Sequence, residues 1–227
     1  MAKRLERVLR FFLHVTMVSG AASLLAACAT TIVPPGPVAC PQTVFVLDHG
    51  RHSSLVLPHP EGFVRYAYGD WGWYAEVDTG TTEASRAVLL PSRAALGRSV
   101  SGAVATREGV RAGLRVGIQR IHEVPVETHR VTALRDALEA RYRANQASAK
   151  YNRAYDLTFV DYPEPYAAWN NSNHKVAEWL QRLGCGIEGS ALWAWWTVAV
   201  AHERDGMARH DGGPVDPPAC HAGGRTQ

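Results

Sequence analysis

Ser172 stands where a reactive serine would be expected, at the start of a predicted helix and among amide side chains. Three asparagines surround it within residues 170–174. Apolar residues recur at helical spacing from Val176 to Leu183, and Gly184 is a typical helix stop. A helix start carries a partial positive charge that stabilises an anion or a developing oxyanion. The stretch is either a structural helix capped by Ser172 or a nucleophile site that needs a base from elsewhere.

Two histidines supply candidate bases. His49 and His52 lie between two predicted strands, where a scaffold commonly holds catalytic groups. A neutral histidine can take a proton from a hydroxyl or a thiol. We take His52 as the candidate general base, and His49, Asn173 and His174 as further candidate site residues. A structural or surface role for the histidines is the alternative.

Asp70 is the candidate third member of a catalytic triad, because a carboxylate can orient a histidine. It lies in a Gly-Asp-x-Gly segment, and a simple turn accounts for that pattern equally well. The neighbouring Tyr68 and Trp71 either belong to the core or line a pocket for an apolar or sugar-like ligand. In the later segment 155–159, Tyr and Phe are expected to anchor the start of the Ser172 helix, with Asp156 bonding to a loop backbone.

The elements that must position these residues are predicted from apolar runs. A helix is expected at about 131–145, and a second apolar helix at 190–202. In the third predicted strand, Arg65 should lie on the face opposite Val64 and Tyr66. Pro58 is expected to stop the second strand. Strands precede helices, which indicates an α+β fold with the sheet packed against helices. The predicted strands are 43–47, 54–57, 63–68, 87–90, 114–118 and 121–126.

The N-terminal segment has the pattern of an export signal. A basic start is followed by an apolar stretch from Phe11 to Leu25, too short for a typical membrane-spanning helix. Leu-Ala-Ala-Cys at 25–28 resembles the bacterial lipobox, which implies cleavage before Cys28 and its lipidation. Several acyl chains would hold the protein at a membrane surface, facing the periplasm. An ordinary secreted protein or a signal anchor is the alternative.

This signal also accounts for the charge of the chain. The 227 residues carry a net charge of +3, and the residues before Cys28 alone contribute that excess of positive charge. The mature chain is therefore near neutral, and nucleic-acid binding loses its main support. We predict a tether at 28–42, one domain at 43–205 and a loose tail at 206–227.

The remaining cysteines are Cys40, Cys185 and Cys220. An exported protein meets an oxidising compartment, so we expect one disulfide, which leaves one thiol over. The odd count leaves the pairing open. None of them has a C-x-x-C spacing, so we expect neither a zinc site nor any other cofactor.

Taken together, the order of these motifs resembles the circularly permuted papain-like superfamily, which includes NlpC-type hydrolases and relatives of lecithin retinol acyltransferase. More narrowly, it resembles a bacterial lipoprotein family with three segments. Gly50 to Pro58 matches G-W-H-T-x-x-V-L-P, and 64–70 matches V-E-F-G-W-G-D, with Arg65 in place of the acidic residue. Asn171-Ser172-Asn173-His174 matches T-C-N-T-W, with Ser172 in place of the cysteine.

This resemblance implies an antiparallel sheet packed against helices, with the strand of His52 beside the start of the Ser172 helix. It also implies a hydrolase or acyltransferase acting on an amide or ester, with cell-wall peptide or a lipid acyl group as substrate. A serine cannot ionise as a cysteine does at a helix start, so Ser172 would need His52 within hydrogen-bond reach. The alternative is an inactive protein that keeps the fold as a binding module.

Overall fold

The apolar runs of the chain form the strands of one large antiparallel sheet. This computed structural model describes residues 29–76 and 90–200. The strands of the large sheet are β2 Pro41–Asp48, β3 Ser53–His59, β4 Gly62–Asp70, β5 Ser92–Ser101, β6 Arg120–Glu127, β7 Lys150–Asn152 and β8 Leu157–Tyr166. Their order in the sheet is β6-β2-β3-β4-β5-β8-β7, and each pair of neighbours is antiparallel.

A smaller sheet joins the beginning and the end of the described chain. Its strands are β1 Thr30–Val33, β9 Gly186–Glu188 and β10 Trp196–Val198. The central strand, β1, is parallel to β10 and antiparallel to β9. The segment predicted as an irregular tether thus includes a strand, because the four residues before its prolines are all β-formers.

Four α-helices occur among the described residues, and they cover both faces of the large sheet. They are α1 Trp71–Tyr74, α2 Arg107–Gly113, α3 Thr128–Ala144 and α4 Ser172–Arg182. The longer helices α3 and α4 pack together on one face, in the largest apolar cluster. The short helices α1 and α2 contribute to two smaller clusters on the other face. The predicted α+β class is therefore confirmed.

Alternation along β3 and β4 sends neighbouring side chains to opposite faces of the sheet. Leu55, Val64 and Tyr66 belong to the cluster under α3 and α4. Val56 belongs to the cluster with α2, and Arg65 points to that same side. The expected placement of Arg65 opposite Val64 and Tyr66 is confirmed.

The strand β5 was not predicted from the sequence pattern. Its sequence has few β-forming residues, yet it lies between β4 and β8 in the sheet. A Cβ atom at Gly97 would come within 2.6 Å of Phe159 Cε1. The small residue therefore makes room for an aromatic ring of the next strand, and packing rather than propensity explains this strand. Of the strand predicted at 87–90, residues 87–89 lie outside the described part, and Leu90 is not in a strand.

Two other strand predictions were inaccurate. Residues 114–118 are irregular, although Leu114, Val116 and Ile118 pack into an apolar cluster. The edge of β2 that they could have joined is already paired with β6. Pro58 does not stop β3, because it pairs with Phe63 inside the β3–β4 hairpin.

The helix predicted at 190–202 is wrong for its described part, 190–200. That segment is irregular and then forms β10. Trp193 and Trp195 are exposed, whereas Ala194 and Trp196 are buried. This alternation has the period of a strand, and the neighbouring β1 makes use of it.

The structure shows the bonding state of two of the cysteines. Cys40 is disulfide-bonded, whereas Cys185 is a free, buried thiol. Burial raises the pKa of Cys185 to about 11. The signal peptide 1–27, Cys28, Cys220 and the tail 206–227 lie outside the described residues. No helix in the described residues has both the length and the apolar character needed to cross a membrane.

Candidate functional site

An asparagine, not a serine, caps the start of α4. Asn171 Oδ1 accepts hydrogen bonds from the backbone N–H groups of Asn173, at 2.9 Å, and of His174, at 3.1 Å. Ser172, the predicted cap, is instead the first helical residue. Asparagine and serine cap helices about equally well, so the sequence pattern could not choose between the adjacent positions. Gly184 follows the helix end with φ of +93°, as predicted for a helix stop.

Asn173 joins α4 to the beginning of β3. Its Oδ1 accepts from Ser53 Oγ at 2.7 Å, and its Nδ2 donates to the carbonyls of Arg51 and Leu192, each at 3.2 Å. Ser53 Oγ also accepts from Trp196 Nε1 at 2.6 Å. The expectation that this strand packs beside the start of α4 is therefore confirmed.

Ser172 itself is enclosed, with 2% of its surface exposed. Within the described residues, its Oγ makes no hydrogen bond, and none links it to His52. The ring of His174 lies 3.0 Å from Asn171 Oδ1, and burial lowers the pKa of this histidine. We call Asn171, Ser172, Asn173 and His174 the helix cluster; the polar partners of its other three members fix the helix start.

Asp70 caps the short helix α1. Its Oδ1 accepts from the backbone N–H of Trp73 at 2.8 Å, and its Oδ2 accepts from the hydroxyl of Ser92. This is the turn role that the sequence left as the alternative. Across the described residues, no hydrogen bond joins Asp70 to His49 or His52.

Tyr68 and Trp71, the two aromatic residues predicted for a ligand site, lie in different places. Tyr68 borders the pocket described below, but its ring packs in the cluster under α3 and α4, and its hydroxyl donates to the carbonyl of Glu164 at 3.1 Å. Trp71 is buried in the apolar cluster of α1, where the Arg93 guanidinium lies 3.9 Å from the centroid of its ring. Trp71 Nε1 donates to Glu76 Oε1 at 3.0 Å.

A tight turn between β2 and β3 positions His49 and His52. The N–H of His49 donates to the carbonyl of His52 at 2.9 Å, and that of Gly50 donates to Asp48 Oδ1 at 2.6 Å. Gly50 has φ of +95°, which favours glycine, and a Cβ there would lie 2.6 Å from Gln119 Nε2. Gly50 therefore lets the turn close and brings both imidazoles to one end of the hairpin.

His49 is held in one tautomer by a backbone carbonyl. Its Nδ1 lies 2.7 Å from the carbonyl oxygen of Gly117, and its Nε2 lies 2.9 Å from Ser54 Oγ. A carbonyl oxygen only accepts, so Nδ1 carries the proton. Burial lowers the pKa of His49, which keeps the ring neutral at pH 7. Nε2 must then accept the hydroxyl proton of Ser54, which is the arrangement of a serine and its base.

His52 lies across the same pocket, with its ring edge-on to Tyr74 at 5.4 Å between centroids. Burial lowers the pKa of His52 to about 4, and the nearby His49 and Arg51 add to that effect. Tyr74 in turn packs against Tyr155, with ring centroids 4.5 Å apart. His52 is therefore a neutral wall of the pocket near pH 7.

Arg65 is a buried cation that has no carboxylate hydrogen-bonded to it among the described residues. Its side chain is 2% exposed, and Nη2 donates to the backbone carbonyls of Tyr155 and, at 3.1 Å, of Asp156. Nε is sealed from solvent without a partner. Nη1 makes no hydrogen bond within the described residues, and Arg65 lines the pocket. Burial lowers the pKa of Arg65 to about 10, which leaves it charged at pH 7.

These side chains line a pocket of about 220 Å³ on the sheet face away from α3 and α4. We call it the histidine pocket and define it by His49, His52, Ser54 and Arg65, with walls that include Tyr74 and Tyr155. Its histidines are neutral, so Arg65 sets its charge. Such a pocket can hold a small anion, and its serine has a base in place. In the described part of the chain, no group of histidine, cysteine or acidic side chains could hold a metal ion.

The structure thus brings together only part of the predicted site. His49 and His52 line one pocket, which Tyr68 borders with its ring packed on the other face of the sheet. Asn173 and His174 fix the start of α4, and Asp70 caps α1. Sequence reasoning missed Ser54 and Arg65 as site residues. Arg65 offered a signal, because a lone arginine in an apolar strand must find polar partners when buried.

The segment 155–159 also has a different role from the one expected. Tyr155 and Phe159 pack with Tyr74 on the pocket side of the sheet rather than at the start of α4. The side chain of Asp156 accepts from the Tyr151 hydroxyl at 3.0 Å instead of bonding to a loop backbone.

Comparisons with family models, with curated proteins and with solved structures found no match to this chain.

Proposed function

We propose that the protein is a lipid-anchored protein of the bacterial cell envelope that faces the periplasm and binds a small anionic ligand in the histidine pocket. The observation that carries this function is Arg65, a buried guanidinium that lines the pocket and makes hydrogen bonds, among the described residues, only through Nη2. The basic start, the apolar stretch and the lipobox ending at Cys28 support the anchor.

An anion at Arg65 would relieve an unfavourable feature of the unliganded pocket. A buried charge costs several kcal/mol unless it is compensated. Burial lowers the pKa of Arg65 and the nearby Asp156 raises it, but the Asp156 carboxylate makes no hydrogen bond to the guanidinium among the described residues. The two backbone carbonyls at Nη2 compensate only one side of the guanidinium. Because Nη2 is already bonded and Nε is sealed, a ligand would meet Nη1, and a carboxylate oxygen there would accept a charge-assisted hydrogen bond, which is the stronger kind. The tyrosine and aliphatic walls suit a short apolar body behind that carboxylate.

Two kinds of molecule in the envelope carry such a carboxylate. One is the free end of a cell-wall peptide, and the other is a fatty acid released from a lipid. Their shared chemistry is a monoanionic carboxylate on a small apolar body. N-acetyl-dialanine and butyrate represent the two sources in a binding experiment.

Calorimetric titration of the full chain tests this function. We expect saturable binding of at least one probe, and Arg65→Met should weaken it about tenfold or more, because one charge-assisted contact is lost. Arg93→Met is the matched control, since Arg93 is exposed and paired with Asp161. Absence of binding by both probes, or equal binding by the Arg65 variant, would contradict the proposal.

Serine-type hydrolysis of an ester or amide in the same pocket is a second candidate function, favoured by the Gly117–His49–Ser54 hydrogen-bond chain. Ser54 Oγ would attack the carbonyl carbon as its proton passes to His49 Nε2. The bond to the leaving group then breaks, and the leaving group takes that proton. Water would cleave the acyl-serine by the same proton path in reverse, returning the proton to Ser54.

A serine-directed phosphonate probe distinguishes the candidates. If Ser54 is a working nucleophile, the probe labels Ser54, and His49→Gln abolishes labelling because the base is lost. Ser172→Ala is the matched control and should leave the labelling unchanged. Labelling at Ser172 that depends on His52 would instead support the pair expected from the family resemblance. A protein that binds carboxylates and takes no label is a binding module only.

We also propose the permuted papain-like fold on the basis of one contact between its motifs. The strand motif around His52 and the helix motif around Ser172 are joined by the Ser53–Asn173 hydrogen bond. The proposal extends only to the arrangement of these motifs, because His52 lines the pocket on the face away from α4, whereas Ser172 is the first residue of α4 and Asp70 caps α1.

A further inference from the structure

The described surface exposes four large apolar side chains near the start of α4. Trp169 is 63% exposed, and Leu192, Trp193 and Trp195 are each more than 40% exposed. The rings of Trp193 and Trp195 stack with centroids 6.3 Å apart. Exposed tryptophans that cluster rather than scatter mark a contact surface.

The helix cluster holds the loops that carry these side chains together. Asn171 Nδ2 donates to the carbonyl of Ala168 at 3.2 Å and to that of Leu192 at 3.1 Å. Asn173 Nδ2 also reaches the Leu192 carbonyl. One amide thus holds the backbone just before Trp169 close to the backbone of Leu192, and we treat the exposed side chains of both loops as one patch. We call Trp169, Leu192, Trp193 and Trp195 the tryptophan face.

The proposed lipid anchor begins beside this face. The N–H of Thr30 donates to the carbonyl of Trp195 at 2.9 Å, and Thr30 pairs with Trp196 in the small sheet. Thr30 Oγ1 also accepts from the N–H of Ala191 at 2.9 Å. Cys28 is two residues before Thr30, and two residues span at most about 7 Å. Acyl chains on Cys28 would therefore start within about 7 Å of Thr30, which is hydrogen-bonded to the backbone of Trp195.

We propose that the tryptophan face docks on the lipid bilayer, with the indoles in the headgroup layer next to the acylated Cys28. Tryptophan prefers this layer because its ring is apolar and its N–H can still meet water or headgroups. The face gives the domain a fixed orientation on the membrane, with the start of α4 toward the lipid. This inference rests on the proposed lipid anchor.

Fluorescence quenching by brominated phosphatidylcholine tests the docking with the native protein reconstituted in vesicles. The chain has seven tryptophans, and the bromines reach only those in the bilayer. We expect strong quenching of tryptophan emission in the native protein. In the double variant Trp193→Ser/Trp195→Ser, this quenching should fall about twofold or more, because the indoles that would insert into the bilayer are removed. Tyr151→Ser, which changes another exposed aromatic residue, is the matched control and should quench like the native protein.

Mass analysis of the N-terminal peptide separates failure of the anchor from failure of the docking. If Cys28 carries no lipid, the protein is added to the same vesicles from outside, and quenching that depends on Trp193 and Trp195 still supports the docking face. Equal quenching in the native and double-variant proteins would overturn it. The proposal would also be overturned if the vesicles quenched no emission and a soluble oligosaccharide shifted the emission, because the stacked indoles would then bind a sugar.

Discussion

Consecutive residues of one strand serve two different regions of this molecule. Ser53 faces α4, where its hydroxyl donates to Asn173 and accepts from Trp196. Ser54 faces the histidine pocket, where its hydroxyl meets only His49. In the helix cluster, hydrogen bonds join side chains to one another and to backbone groups. In the pocket, Arg65 keeps a nitrogen without a partner beside an open cavity.

The difference teaches that residue type does not identify a site. Serine, histidine and asparagine occur in the helix cluster in a pattern that predicts chemistry, yet three of its four members fix a helix start. The pocket has a less conspicuous pattern and retains unused hydrogen-bonding capacity next to space for a ligand. Unused capacity beside a cavity indicates binding better than a cluster of reactive residue types.

The strongest test of this comparison removes the amide that joins α4 to β3. Asn173→Ala should lower the free energy of unfolding by about 3 kcal/mol, because three hydrogen bonds are lost at about 1 kcal/mol each. Urea denaturation measures the change. Asn145→Ala, whose amide makes one exposed bond to Arg141, is the control and should cost much less. A small effect of Asn173→Ala would show that the helix cluster is not structural.

The adjacent serines provide a direct contrast. Ser53→Ala should cost about 2 kcal/mol, since it leaves Asn173 and Trp196 with unsatisfied buried groups, whereas Ser54→Ala should cost about 1 kcal/mol or less. Both values come from the same denaturation experiment. Carboxylate binding should change more in the Ser54 variant than in the Ser53 variant. The reverse ranking in stability and binding would contradict the assignment of the two faces.

Acid should destabilise the fold through His52. Its folded pKa of about 4 lies below its ordinary value of 6.5, so the unfolded chain takes up the proton first. The stability contribution is fully present above pH 6.5 and is lost as the pH falls toward 4. In the His52→Gln variant, the loss of stability between pH 6.5 and 4 should be smaller by about 1–2 kcal/mol, a figure that allows for the partial exposure of the ring. An unchanged slope between pH 6.5 and 4 would show that the ring of His52 is not buried in solution.

The smallest effect is expected at Ser172. Its Oγ makes no hydrogen bond within the described residues, so Ser172→Ala should change stability by less than about 0.5 kcal/mol. Ser172→Cys extends the test, because a thiol at a helix start beside a base becomes reactive. We expect slow reaction with a thiol reagent, above the small background of the buried Cys185. Rapid reaction near neutral pH would show that the start of α4 is the reactive region rather than the histidine pocket, as the family resemblance implies.

Local rules acting on the sequence determined much of the fold. Apolar runs located β2, β3, β4 and β6, and helical spacing located α3 and α4 with the stop at Gly184. Alternation placed Arg65 on the correct face of its strand. Each of these predictions depends on periodicities of two or 3.6 residues, which a single segment reveals without its neighbours.

Tertiary structure alone decided the roles of the polar residues. Asn171 rather than Ser172 became the cap, and Asp70 turned to Trp73 and Ser92, because packing fixed where each segment starts. Only the sheet register brought Arg65 close to Ser54 on the neighbouring strand, since Ser54 pairs with Ala67 and Val56 pairs with Arg65. The segment around Trp196 alternates between buried and exposed residues, and it forms β10 by pairing with β1. A hydrogen bond between distant segments depends on how the sheet is assembled, and no local pattern encodes that assembly.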